Sequence, residues 1–270
     1  MGEGGLSASS HGRRQLGNSR KYTWRLQMLT INLDIFRVRE RDVILDAGCG
    51  DGRHALTIAK TPCRLVALDT SRIDLLKVLF VIRLMKREGE LKACAEVVRG
   101  DVRRLPFREQ SFSKVICTEV LEHIREDREA IGELARVLDG KGCVAVSVPT
   151  RASERLYGRL SDKYFRTPGG HIKIYKAENL VKKLEESGLH TVRVCYEHAL
   201  HTIYWLLKCL VGLDNDKAVI PALWRLLLIY SPRVKLIRAI EEFFNHVFPK
   251  SIVFYLKKDV DGKCFKRRKA

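Results

Sequence analysis

The sequence predicts an α/β fold with a mostly parallel sheet, and three observations carry that prediction. Three short apolar, β-favouring runs, at residues 43–46, 65–69 and 97–101, each end in an acid. The first run leads into glycines on alternate positions, Gly48, Gly50 and Gly52. A helical pattern follows at once, so the chain passes from buried strand through a tight turn to a helix N-terminus.

Taken in order, Val43, Ile44 and Leu45 form the first strand, which closes on Asp46. The G-x-G-x-G turn lets backbone press against an adenosine-bearing ligand at the helix N-terminus. It is not the G-x-G-x-x-G of the dinucleotide fingerprint. Asp69 ends the second run about twenty residues on, where nucleotide-binding α/β folds place an acid on ribose hydroxyls. Asp101 ends the third run. Each acid also has a plainer reading: Asp46 as a cap on the turn, Asp69 as a cap on the helix beginning near Ser71. Three acids at successive strand ends, beside one glycine loop, favour a ligand site. Asp46 is then the acid that holds the loop.

Further motifs follow. Leu105-Pro-Phe107 precedes a strand pattern at 111–117, and Thr118-Glu-Val-Leu-Glu-His-Ile124 comes next. Residues 133–138 read as helix, 139–142 as a turn and 144–149 as a fifth strand. With the glycine loop and the acids, this series resembles the class I S-adenosylmethionine-dependent methyltransferases, in particular the type-11 family. The resemblance covers roughly residues 40–150 in the family's order and spacing. Ser113 departs from it, standing where the family usually has aspartate. The resemblance implies a Rossmann-like methyltransferase fold with a seven-stranded, mostly parallel sheet, and S-adenosyl-L-methionine as cofactor. It places Asp46, Gly48, Cys49, Gly50 and Gly52 in the cofactor loop, Asp69 and Thr70 at the ribose, and Asp101 and Val102 at the adenine. Glu119 is placed where it can orient the cofactor's amino group.

Residues 1–20 are rich in Gly, Ser and Arg and read as disordered. Residues 21–258 read as the methyltransferase domain, with a cofactor-binding core at 41–150. Within it, the mixed aromatic, apolar and basic segment 21–40 is expected near the cofactor or substrate entrance. Residues 177–188 pattern as an amphipathic helix stopped by Gly188. Sixth and seventh strands fall at 191–195 and 251–256. A short hairpin turn would suffice between them, yet the chain carries a helical insertion at about 197–249. Its apolar runs are broken by Lys208, Pro221 and Arg225 and are too short to span a bilayer. The insertion reads as a helical cap, and also as a lid for an amphiphilic substrate that touches a membrane. It resembles one subgroup of the type-11 methyltransferases. Residues 259–270 form a basic tail.

The 270 residues carry 50 Lys and Arg against 32 Asp and Glu, a formal net charge of +18. That balance favours anionic partners, among them an anionic membrane surface. Eight scattered cysteines form no C-x-x-C pair and read as reduced, buried thiols in a cytoplasmic chain, with no metal site. No continuous apolar run at the N-terminus reads as a cleaved signal. The expected setting is therefore cytoplasmic, with the insertion and tail able to rest on a membrane.

Methyl transfer is an in-line displacement that needs a bound cofactor, an aligned nucleophile and, for a hydroxyl, a base. His123, His171, His198 and His201 are the candidates, because histidine moves protons near neutral pH. His171, on the substrate-facing side of the family's fold, is the first choice and His201 the second. The expected acceptor is a hydroxyl or carbon of an amphiphilic small molecule: a lipid, a quinone or a glycan. The N-P-P-Y type motif of DNA amino-methyltransferases is absent, since residues 117–120 read Cys-Thr-Glu-Val, and no RNA-binding module is appended. RNA methylation remains the alternative enzymatic reading. A non-catalytic protein, using the cofactor fold to bind a membrane or partner through the insertion, is the other.

Overall fold

The computed structural model describes residues 28–161, 164, 170–212, 219–230 and 234–258. The expectations for residues 1–20 and for the tail at 259–270 lie outside the described residues. In chain order the elements are α1 (Leu33–Phe36), β1 (Val43–Ala47), α2 (Arg53–Ile58), β2 (Arg64–Asp69), α3 (Arg72–Arg87), β3 (Cys94–Arg99), β4 (Phe112–Thr118) and α4 (Asp127–Val137). Then come β5 (Leu138–Pro149), α5 (Arg151–Leu160), α6 (Ala177–Glu186), β6 (His190–Glu197), α7 (Ala199–Val211), α8 (Val219–Tyr230), α9 (Lys235–Phe244) and β7 (Ser251–Lys257).

The seven strands form one sheet in the order β3-β2-β1-β4-β5-β7-β6. Pairings β1 to β5 are parallel; β7 runs antiparallel to both β5 and β6. The alternation of side chains along each strand feeds two apolar layers. Leu45, Val115, Val144 and Val146 face a layer with Leu134 of α4 and Leu180 and Leu184 of α6. Ile44, Leu65, Ala67 and Ile116 face another with Leu56 of α2, Val78 and Met85 of α3, and Tyr255 of β7. Central strands buried on both faces explain why the sequence reads as short continuous apolar runs.

Three placements differ from the sequence reading. The expected turn at 139–142 lies inside β5 as an irregularity. Leu138 still pairs with Phe112, the register then shifts, and Cys143 pairs with Lys114. Within the described part of segment 21–40, Ile31, Ile35 and Phe36 pack into the α2–α3 layer rather than at an entrance, and the backbone N of Asn32 donates to Tyr255 Oη at 2.8 Å; residues 21–27 lie outside the described residues. Cys143 is disulfide-bonded, whereas Cys49, Cys63, Cys94, Cys117, Cys195 and Cys209 are free. Sequence spacing cannot reveal such a pairing, because spatial neighbours are set by the fold.

The insertion comprises α7, α8 and α9, all between β6 and β7. Among the described residues, no helix is long and apolar enough to cross a membrane.

One buried cluster ties α4, α6 and the segment before α6. Asp127 Oδ2 accepts from Tyr175 Oη at 2.6 Å and from Lys183 Nζ at 2.5 Å, and Lys173 Nζ lies 3.0 Å from Oδ1. Burial opposes the charge, but Lys183, Tyr175 and Lys173 outweigh it and hold the carboxyl down to about 2. Asp127 thus contributes stability that is present above its ordinary pKa near 3.8 and lost as pH falls toward 2. In thermal unfolding between pH 6 and 2, Asp127→Asn is expected to lower Tm at pH 6 and to show a shallower acid limb than the wild type. Parallel acid limbs would show that Asp127 does not contribute in this way.

Candidate functional site

A cavity of about 720 Å³ opens at the carboxyl ends of β1, β2, β3 and β4. Its floor is the loop from β1 to α2. The backbone N groups of Gly48 and Cys49 both donate to Leu68 O, at 2.8 and 2.9 Å, which ties the loop to the end of β2. Gly48 has φ 80° and Gly52 has φ 88°, the left-handed region. A Cβ on Gly48 would stand 2.4 Å from Val120 Cγ2, and one on Gly52 2.7 Å from Val78 Cγ2. At Gly50 a Cβ would meet nothing within 4 Å, because it would enter the cavity.

Two acids hold this loop. Asp46 Oδ2 accepts from Ala55 N at 3.0 Å, so β1 supplies the N-terminal cap that Gly52 cannot give α2. Asp46 is buried and its Oδ1 has no partner among the described residues. Burial pushes this carboxyl up to about 7. Asp69 accepts from Gly50 N and from Ser71 N, each at 2.8 Å, and also lines the cavity. Each of its oxygens keeps a further acceptor position for a hydroxyl donor.

The sequence-predicted residues divide accordingly. Gly48, Gly50, Asp69, Thr70, Asp101, Val102 and Glu119 line the cavity, whereas Asp46, Cys49 and Gly52 shape the loop behind it. Asp101 already carries a cation: Arg103 donates to it through Nε, at 3.1 Å to either oxygen, and through Nη2 at 2.7 Å. Arg103 also reaches Glu126 at 2.9 Å, and both lie on the cavity wall. A donor approaching Asp101 would share it with this guanidinium.

Glu119 sits just past β4 with φ 55°. Its Oε1 accepts from Ser147 Oγ at 3.1 Å and its Oε2 from Lys250 Nζ at 2.8 Å. Burial works against ionisation, yet the Lys250 ammonium prevails and holds Glu119 below the usual carboxylate range. Glu122, three residues on, is fully buried, and neither carboxylate oxygen has a partner among the described residues. Burial, then the Glu119 charge, pushes it well above the carboxylate range. The two neighbouring carboxyls are thereby pushed in opposite directions.

His171 does not line the cavity itself; its neighbours His123 and Ile172 do. His171 Nδ1 lies 2.7 Å from Glu154 Oε2, and Tyr164 Oη donates to Glu154 Oε1 at 2.9 Å. Its Nε2 is 4.0 Å from Glu122 Oε1. The rings of His123, His171, Tyr164 and Trp205 follow one another at centroid distances of 4.9, 5.9 and 6.1 Å. This aromatic track leads from the cavity wall to α7. His198 and His201 share one side of α7 as their spacing suggests, but they are packed beside Glu241 and away from the cavity wall.

Glu122, Glu154, Tyr164 and Lys250 are the members that sequence reasoning passed over. Glu122 stood within a quoted motif, and only its burial singles it out. Lys250 pairs with a residue 131 positions away, a separation that leaves no local signal.

The glycine floor, the open space at Gly50 and the acceptor capacity of Asp69 suit an adenosyl group with a ribose diol. A family model described as a methyltransferase domain matches residues 45–146. Sterol 24-C-methyltransferase of Kluyveromyces lactis is 29% identical over 138 residues, 51% of this chain and 34% of that protein. The chain spans about a third of the length of the first curated relatives it matches, 34% to 38%. Among solved structures, a SAM-dependent methyltransferase from Methanosarcina mazei superposes with TM-score 0.55 at 15% identity, over 82% of this chain and 94% of that one. Magnesium protoporphyrin IX methyltransferase from Synechocystis PCC 6803, with bound SAH, gives TM-score 0.54 at 15% identity, over 82% and 75%. At such identities the structural likeness carries the fold alone. The family model and the sheet order agree: residues 45–146 match a methyltransferase domain, and they lie in a sheet of the class I, S-adenosylmethionine-dependent kind.

Proposed function

We propose that this protein transfers a methyl group from S-adenosylmethionine to a hydroxyl or carbon of an amphiphilic small molecule, with lipids first among the candidates. The observation that carries the reading is the cavity floored by Gly48 and Gly50 with Asp69 on its wall. Asp69 and Thr70 would receive the ribose, Val102 and the backbone beside it the adenine, and Glu119 the amino end. When bound, the cofactor supplies an electrophilic methyl on a sulfonium.

What the chain adds is placement of the acceptor and of a proton. His171, held at Nδ1 by Glu154, turns its Nε2 toward Glu122 behind the cavity wall formed by His123 and Ile172, and would relay a proton from the reacting hydroxyl or carbon acid; Tyr164 fixes Glu154 in turn. Glu122 beside it gives a second position for the proton. The aromatic track to Trp205 provides flat apolar faces for the acceptor.

The lipid reading draws on two further observations. The match to a sterol methyltransferase, low as it is, lies among lipid-modifying proteins. Across the insertion, Leu210, Ile220, Leu223, Leu236 and Phe243 are 61–69% exposed on a chain of net charge +18. Scattered apolar residues are ordinary on a surface, but this concentration on three helices favours contact with an anionic bilayer.

Calorimetric titration tests the cofactor role. The wild type is expected to bind S-adenosylmethionine and S-adenosylhomocysteine in the micromolar range. Asp69→Ala should bind about 100-fold more weakly, the weight of roughly 2–3 kcal/mol of hydrogen bonding to a charged group. Absence of binding by the wild type would sink the reading. With labelled cofactor and cell fractions, label should enter the lipid fraction; label in RNA instead would favour the RNA alternative, and no transfer to any fraction the non-catalytic one. Once an acceptor is in hand, His171→Gln should lower kcat by about 10²–10⁴ with cofactor affinity unchanged. An unaltered kcat would remove His171 as the base. Sedimentation with phosphatidylserine-containing vesicles should be strong at low salt, weaker at high salt, and reduced by Leu236→Asp with Phe243→Asp. Failure to sediment at low salt would remove the membrane contact.

A further inference from the structure

His198 and His201 lie at the start of α7, and Glu241 reaches them from α9. One potential ligand atom from each residue lies within 4.8 Å of the other two. His198 Nδ1, His201 Nδ1 and Glu241 Oε1 are buried, and none has a hydrogen-bond partner among the described residues. Buried polar atoms are nearly always satisfied, so orphans on three residues that stand this close call for a missing partner.

The surroundings suit a metal ion better than a hydrogen-bonding group. All three atoms accept when the imidazoles present bare nitrogens and the carboxyl is ionised, which is the donor set of a divalent cation. His198 Nε2 lies 3.2 Å from Thr30 Oγ1, the outer hydrogen bond that fixes a ligating imidazole in its tautomer. His198 is also the residue before α7 and has φ 70° without any capping hydrogen bond. That strained conformation turns its ring against His201, at 4.9 Å between centroids, instead of capping the helix.

We infer that His198, His201 and Glu241 form a zinc site that clamps α9 to the start of α7. Two imidazoles and one carboxylate suit Zn²⁺ rather than Ca²⁺ or Mg²⁺, and the fourth position would hold water. Ligands about 2 Å from a tetrahedral ion stand about 3.3 Å apart, so the ligand atoms would draw together by up to about 1.5 Å. The site is separate from the second His–Glu group, Glu122, His123 and His171, beside the cofactor cavity. It also stands independently of the methyl-transfer reading. Its connection to that cavity runs through Lys250, whose backbone N donates to Glu197 O at 3.1 Å while its ammonium holds Glu119. A clamp here would steady the insertion against the core.

The test is zinc titration of the chelator-treated full-length protein against a chromophoric zinc indicator, alongside visible spectra with Co²⁺. One tight equivalent is expected, with a rise in Tm on zinc addition. Glu241→Gln and His201→Asn should each bind about 100-fold more weakly or lose the equivalent, while His171→Gln retains it. The wild-type Co²⁺ spectrum should show d–d bands without a thiolate charge-transfer band, which separates this site from the free cysteines. No tight equivalent in the wild type, a thiolate band, or an equivalent lost in His171→Gln but kept in Glu241→Gln would each overturn the proposal. If the α9 and α7 variants fail to fold, the wild-type stoichiometry and spectrum decide it.

Discussion

Everything in the cofactor region depends on how the chain leaves β1. The loop must turn under Val120 and beside Val78 with no room for a Cβ at Gly48 or Gly52. Such a turn is entropically costly, and its three glycines offer no side chain to hold it. Backbone amides therefore do the holding: Gly48 and Cys49 on Leu68 O, Gly50 on Asp69, Ala55 on Asp46. Because the acceptors sit on β1 and β2, the loop is fixed by the register of two parallel strands, in which Ala47 faces Leu68. The cavity exists because the sheet positions that loop before any ligand arrives.

A second constraint lies behind the cavity, where the protein buries carboxyls at close quarters. Low-dielectric surroundings make an unpaired charge expensive, so each acid must find a cation, a hydrogen bond or a proton. Glu119 takes Lys250, Glu154 takes Tyr164 and His171, and Glu122 keeps its proton. Asp46 and Glu241 are pushed upward by the same burial. Acids of one residue type thus end in different states because their neighbours differ.

The insertion has a different character from the core. Its helices leave large apolar residues exposed, and polar contacts join them to one another. Trp224 Nε1 donates to Leu200 O at 3.0 Å, Asn245 Oδ1 accepts from Ala199 N at 2.8 Å, and Thr202 Oγ1 donates to Phe248 O at 2.8 Å. These contacts fasten α7 to α8 and to the segment leading into β7. They leave the outer faces available for whatever the insertion meets.

The sequence alone determined the αβ alternation, the glycine turn and the acids at the strand ends, because each is written in local spacing. A strand buried on both faces must be apolar throughout, and a left-handed turn without room for a Cβ must be glycine. The seven-stranded, mostly parallel sheet was legible by resemblance, but the order β3-β2-β1-β4-β5-β7-β6 came from the tertiary structure, since strand pairing joins residues far apart. Tertiary structure alone decided the partners of the acids. Glu119 meets Lys250, Asp101 is held by Arg103, and Glu241 arrives beside His198 and His201 from more than one helix away. It also moved His201 away from the cavity and brought His171 to Glu154. Local spacing fixes which face of an element a side chain occupies; burial and charge partners depend on which elements the fold packs against that face.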